Sequence, residues 1–169
     1  MSHKFACIAL AFACAAVLPA QDNVVTTESK GFYELVKNNI IKAAEKMPAE
    51  QYAFKATPDV RSFGEIVGHI ADSQYLFCSQ IKGEQKKSEV EKTVTGKAPI
   101  VEALKAAFAY CDEAYVGMTD AAIVQKAKGG RRTNITLLSF NTAHNNEHYG
   151  NLVTYMRLKG LVPPSSEGR

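Results

Sequence analysis

The chain has 169 residues, 46% of them hydrophobic and 22% charged, and a formal net charge of +3 at pH 7. This size suits one domain with a single core, and nothing in the composition suggests a second domain. The small positive charge comes without a basic stripe interleaved with aromatic residues, which excludes a typical nucleic-acid-binding surface.

The first twenty residues have the layout of a secretory signal peptide. Lys4 supplies a positive start, an apolar run extends over residues 5–18, and Ala20 is a small residue at the expected cleavage position. The run is too short and too rich in alanine for a membrane span, which needs about 20 strongly apolar residues. We therefore predict cleavage after Ala20, a single mature domain of residues 21–169 without a stable membrane span, and export to the periplasm or the medium. A lipid-anchored Cys14 is the alternative, although the residues before it match a lipoprotein signal poorly.

Two of the four cysteines, Cys7 and Cys14, leave with the predicted signal peptide. Cys78 and Cys111 remain, on separate predicted helices, and they do not form the Cys-x-x-Cys pair of many metal sites. Export permits disulfides, so one bond between them is an option. We favour two small buried thiols instead.

The first amphipathic segment repeats apolar residues at three- and four-residue spacing over residues 32–47, which predicts a helix. Thr27 or Ser29 can cap it, and Pro48 ends it. Residues 49–61 show no sustained period. They are predicted to form an ordered connection laid over the bundle and anchored by its aromatic side chains.

The second helix begins with a capping box, in which the Ser62 hydroxyl and the Glu65 carboxylate satisfy free amides at the helix start. It continues to Gly83, which is a typical C-terminal cap. Residues 84–97 are charged, and we predict a solvated loop for them.

The third helix begins near Pro99 and closes at Gly117. The last begins at Thr133 or Asn134 and closes at Gly160. Four long amphipathic segments without a strand pattern predict an all-α fold, an antiparallel four-helix bundle.

Three histidines remain in the mature chain, His69, His144 and His148, and all lie inside predicted helices. His144 and His148 are four residues apart, so their imidazoles project from the same helix face about one turn apart. This is the spacing with which a helix offers two nitrogens to one metal ion. With His69 from another helix, the set provides three nitrogens and leaves a position open, as in a catalytic metal site. Three merely buried histidines are the alternative.

Glu147 adjoins His148 but points about 100° away from it on the helical wheel. We predict that it lies at the rim of the site and assists proton transfer, and a solvated surface carboxylate is the alternative. Four other polar residues lie about one turn from the histidines and are candidates for the hydrogen bonds that orient metal-bound imidazoles. They are Glu65, Asp72, Asn141 and Asn151.

These motifs, in this order, resemble the DinB/YfiT-like superfamily. Residues 144–151, His-Asn-Asn-Glu-His-Tyr-Gly-Asn, are similar to its His-x-x-x-His-x-Gly-Gln signature, and residues 63–72 are similar to the capped helix that carries its first histidine. The resemblance covers about residues 32–164. It implies a four-helix bundle with an up-down-down-up arrangement and a divalent metal, Zn or Ni, held by the three histidines named above.

The resemblance also implies an activity, either a metal-dependent hydrolase or a transferase that uses a low-molecular-weight thiol. The substrate is an unknown small molecule, and homodimers are common in the family. Asn151 stands where the family has Gln, which shortens the reach of this amide. The predicted export is a second departure, because such thiols are scarce outside the cytoplasm. A non-catalytic metal-binding or envelope interaction module is the alternative function.

Overall fold

The computed structural model describes residues 23–168, and the predicted signal peptide lies outside this range. Within these residues the chain forms six α-helices, three short 3-10 turns and no strand. The helices are α1 (Val24–Lys46), α2 (Phe63–Lys82), α3 (Val90–Thr93), α4 (Lys97–Asp112), α5 (Asp120–Ile123) and α6 (Asn134–Leu158). The predicted all-α class is confirmed.

The four long helices α1, α2, α4 and α6 form the bundle, in which α2 packs on α4 and α6, and α1 on α6 and α4. Tyr33 in the first half of α1 donates to Asp112 at the end of α4, so these helices are antiparallel. Cys78 and Cys111 lie late in α2 and late in α4 and are adjacent, so these two are parallel.

The direction of α6 follows from its pairing with α2. Gln74 in α2 donates to Asn145, whereas Cys78, one turn further along α2, accepts from Asn141, one turn earlier in α6. The two helices are therefore antiparallel. The bundle thus has the expected up-down-down-up arrangement.

Parallel neighbours need a connection that returns along the bundle, and residues 83–96 provide it. Gly83 ends α2 in the left-handed conformation with φ 75°, as its position predicts. The predicted solvated loop is wrong in part, because the connection contains the helix α3. Asp72 accepts hydrogen bonds from the amides of Val90 and Glu91, and this contact from α2 stabilises the start of α3.

Helix α1 begins at Val24, before the expected caps at Thr27 and Ser29. The carboxylate of Asp120 accepts hydrogen bonds from the amides of Val25 and Thr26, which satisfies free donors at the helix start. A helix cap from a residue so distant in the sequence has no local signature. The capping box at Ser62 is formed as predicted, and Thr133 caps α6.

Cys78 and Cys111 are both fully buried and are joined by a disulfide, with their Cα atoms 5.3 Å apart. Our preference for two thiols is therefore wrong. The pairing follows from the parallel packing of α2 and α4, which places the two cysteines at the same level of the bundle.

The core is filled by side chains from all four long helices. The largest fully buried side chains are Tyr33, Ile40, Met47, Phe63, Ile70, Leu104, Phe108, Ile123, Leu137, Leu138, Leu152 and Met156.

No helix within residues 23–168 has both the length and the apolar character needed to cross a membrane.

Candidate metal centre

The three predicted histidines converge between α2 and α6. Nε2 of His144 lies 3.2 Å from Nε2 of His69 and 3.1 Å from Nε2 of His148. Their potential ligand atoms all lie within 4.8 Å of one another, and no other such cluster of three His, Cys, Asp or Glu residues occurs in the described part of the chain. The structure therefore brings together the three histidines that we grouped from the sequence.

These separations fit a shared metal ion. Two Zn–N bonds of ~2.05 Å place their nitrogens about 2.9 Å apart at a right angle and about 3.3 Å apart at the tetrahedral angle. The observed 3.1 and 3.2 Å fall between these values. For both contacts to be hydrogen bonds without a cation, Nε2 of His144 would have to share one N–H between two acceptor nitrogens or accept two N–H groups with one lone pair, because a ring nitrogen of a neutral imidazole has either one proton or one lone pair.

His69 is oriented by a carboxylate that we did not predict. Its Nδ1 lies 2.9 Å from Oε2 of Glu91, and Nε of Arg61 donates to Oε1 of the same carboxylate over 2.7 Å. Glu91 belongs to α3, within the stretch predicted to be a solvated loop. Glu91 lies 22 residues from His69 in the sequence, and no local pattern predicts that the two side chains meet.

The other two histidines are oriented differently. The side-chain amide of Asn151 lies 3.3 Å from Nδ1 of His148, so one of the four predicted polar partners is confirmed as a neighbour. Nδ1 of His144 is buried and has no hydrogen-bond partner within residues 23–168. The His144 ring packs edge-on against Phe77 instead, with ring centroids 5.8 Å apart.

The remaining three predicted partners form no hydrogen bond with the histidine nitrogens, and each has another role. Glu65 accepts from the Ser62 amide in the capping box. Asp72 binds the amides at the start of α3. Asn141 donates to Gln74. A position one helical turn from a histidine therefore does not predict a hydrogen bond to that histidine here, because these three side chains bond to other groups.

A buried polar layer lies next to the histidines. Gln74, Asn141 and Asn145 are fully buried between α2 and α6. Gln74 donates to Asn145 over 2.7 Å and accepts from Asn141 over 2.9 Å. Misaligning the two helices would break these bonds between fully buried side chains, so the layer helps to fix the register on which convergence of the imidazoles depends.

The surroundings keep the imidazoles of α6 neutral. Burial, followed by the charges of His144 and His69, lowers the pKa of His148 to about 4. Burial and the charge of His69 also lower the pKa of His144. Burial raises the pKa of Glu91, but hydrogen bonds from Arg61 and His69 outweigh it and leave this pKa below its usual value. Neutral imidazoles beside an ionised carboxylate are the protonation states suited to binding a cation.

Metal-free protein is expected to lose stability as the pH falls from about 6.5 to about 4. His148 has a lower pKa folded than unfolded, so the unfolded chain binds more protons in this range and the free energy of unfolding decreases. A difference of roughly 2.5 units corresponds to roughly 3 kcal/mol. His144, His69, Arg61 and Glu91 face His148. The charges of the first three lower the pKa of His148, and the charge of Glu91 raises it.

Urea unfolding in the presence of EDTA, repeated across this pH range, measures the effect. His148→Gln should flatten the dependence, because glutamine does not titrate. An equal slope in the wild type and the variant would contradict the prediction.

Two cavities reach the histidines from different sides. One of about 680 Å³ adjoins His69, and its other lining residues are Asp72, Ser73, Leu76, Lys86, Lys87, Ser88, Glu89 and Thr93. A second of about 670 Å³ adjoins His148, and its lining includes Arg61, Glu91, Asn151 and Tyr155. Both are large enough for a small molecule. Glu147 is exposed on α6 and lines neither cavity, so its role in proton transfer stays a prediction.

Comparison with known proteins agrees with this fold. A family model described as the DinB superfamily matches residues 33–152, which include all three histidines. The crystal structure of a DinB-like protein from Bacillus cereus ATCC 10987 is similar with a TM-score of 0.68 at 18% identity, covering 82% of this chain and 93% of that one. No match to a curated protein was found. By its sequence match and its helical architecture, the chain belongs to the DinB superfamily.

Proposed function

We propose that the protein binds one divalent metal ion, Zn or Ni, through His69, His144 and His148. The convergence of three Nε2 atoms from two helices is the observation that carries this proposal. Imidazole is a ligand that both metals accept, and the lowered pKa values of His144 and His148 keep it in the binding form at neutral pH.

We further propose a catalytic role, as a metal-dependent hydrolase or a thiol-dependent transferase. A metal held by three imidazoles would supply Lewis-acid chemistry, either acidifying a bound water or binding a thiolate. The protein contributes two cavities that give small molecules access to His69 and His148. Glu147 is the proposed proton acceptor because of its place next to His148 in the sequence, although it is exposed and lines neither cavity. The predicted export favours the hydrolase, because water is always available outside the cell and small thiols are scarce.

Metal analysis of protein purified without a histidine tag tests the metal site. We expect about one ion per chain in the wild type and almost none after His144→Ala and His148→Ala are combined, because two of three ligands are then lost. His3 lies in the predicted signal peptide, so the mature wild type carries no other histidine that could retain the ion. Sub-stoichiometric metal that is unchanged in the double variant would contradict the proposal.

We also propose export with cleavage after Ala20, supported by the sequence layout of residues 1–20. The described domain starts within a few residues of the proposed mature start, since α1 begins at Val24. Intact-mass measurement of the secreted or periplasmic protein checks the cleavage position, and a mature chain starting at Gln21 is expected.

A further inference from the structure

We propose that Glu91 is a positioning residue that holds His69 in its metal-binding tautomer. A carboxylate only accepts hydrogen bonds, so the 2.9 Å contact requires the proton of His69 to sit on Nδ1. Nε2 then carries its lone pair towards His144. The effect on metal affinity rests on the function proposed above, whereas the effect on the tautomer does not.

The backbone of Glu91 is held against α2 by two features of that helix. Both carboxylate oxygens of Asp72 accept hydrogen bonds, one from the Val90 amide at 2.8 Å and one from the Glu91 amide at 3.1 Å. Gly68 permits the close approach, because a Cβ at this position would lie 2.8 Å from Cα of Glu91. The residue one position before His69 therefore provides the space in which the partner of His69 is seated.

The carboxylate is held by a third segment of the chain. Nε of Arg61 donates to Oε1 of Glu91, which leaves Oε2 directed at His69. The carbonyl of Arg61 accepts a hydrogen bond from the Tyr155 hydroxyl of α6 at 2.8 Å. Glu91 is thus connected to α2 through its backbone and to α6 through Arg61, the two helices that carry the histidines.

This support is specific to one histidine. Nδ1 of His148 faces the neutral and exposed Asn151, and Nδ1 of His144 has no partner in the part of the chain that the structure covers. Of the three imidazoles, only His69 has a charged partner at Nδ1. Loss of Glu91 should therefore change the tautomer of His69 directly, and it can reach the other two only through the contact between Nε2 of His69 and Nε2 of His144.

Imidazole nitrogen NMR on metal-free, tag-free protein tests the tautomer directly. We expect wild-type His69 to carry its proton on Nδ1 and Glu91→Ala to shift it partly or wholly to Nε2. Glu91→Gln should give an intermediate tautomer ratio, because its single carbonyl oxygen can accept from His69 or from Arg61 but not from both, as the two carboxylate oxygens do. Glu50→Ala, which removes an exposed carboxylate from the turn Ala49–Gln51, is the control for charge and should change nothing.

Zn²⁺ affinity of the same proteins, measured by competition with a chromophoric chelator, gives the second readout. Glu91→Ala should bind Zn²⁺ about 10- to 100-fold more weakly, with a smaller loss in Glu91→Gln. An unchanged His69 tautomer in Glu91→Ala overturns the inference. If the wild type binds Zn²⁺, an equal Zn²⁺ affinity of Glu91→Ala overturns it as well. If the wild type binds no Zn²⁺ and Glu91→Ala still shifts the His69 tautomer, the proposed function is contradicted and the positioning role is retained.

Discussion

Metal-loaded protein is expected to unfold at a temperature about 5–10 °C above that of chelator-treated protein. An ion that binds only the folded state at 100 times its dissociation constant stabilises that state by about 2.7 kcal/mol. One kcal/mol shifts the melting temperature of a domain this size by about 2–4 °C. The site joins α2 to α6 through His69, His144 and His148, so the ion has little affinity for an unfolded chain that no longer brings them together.

Thermal melting with Zn²⁺, with Ni²⁺ and with EDTA measures this shift, and the His144→Ala/His148→Ala protein is its control. The double variant should melt at one temperature in all three solutions. A shift of equal size in the double variant would place the stabilising ion elsewhere. A large shift in the wild type, combined with metal that small ligands cannot reach, would favour the non-catalytic metal-binding module over an enzyme.

Reduction of the disulfide between Cys78 and Cys111 is expected to lower the free energy of unfolding by about 3–4 kcal/mol. The bond closes a loop with a sequence separation of 33 residues, which restricts the unfolded chain substantially. It also ties α2 to α4 beside Asn141, whose side-chain amide lies 3.3 Å from the sulfur of Cys111. Both cysteines are fully buried, so reduction requires denaturant or transient unfolding.

Urea unfolding of oxidised protein and of protein reduced in denaturant and refolded with reductant measures the difference. The Cys78→Ala/Cys111→Ala protein is the matched control, and its stability should not respond to reductant. Equal stability of oxidised and reduced wild-type protein would contradict the prediction. Retention of Zn²⁺ by the reduced protein would show in addition that the histidines converge without the covalent link.

Much of the fold could be predicted because its signals are local. The capping box at Ser62, the left-handed glycine at Gly83 and the cap at Thr133 each act within a few residues, and the structure contains all three. Hydrophobic periodicity depends on the 3.6-residue repeat of the helix itself, so the four long helices follow from it. The resemblance to the family added the order in which they pack.

The candidate site could be predicted in part for the same reason. The spacing of His144 and His148 is a property of one helix, and their proximity needs no knowledge of the packing. His69 lies on a different helix, and it was grouped with them as the remaining histidine of the mature chain rather than from periodicity. The family resemblance then supported the grouping. Glu91 was missed because its approach to His69 depends on Gly68 and on the amide contacts of Asp72.

The sequence by itself therefore determined the four long helices, the caps of α2 and α6 and the two histidines that share a face, since each depends on neighbours within about one helical turn. The tertiary structure decided the rest. It placed Asp120 at the start of α1, joined Cys78 to Cys111, buried Gln74 against Asn145, and brought the carboxylate of Glu91 to His69. These contacts join residues 22 to 94 positions apart, and only the packing of the bundle brings such distant segments together.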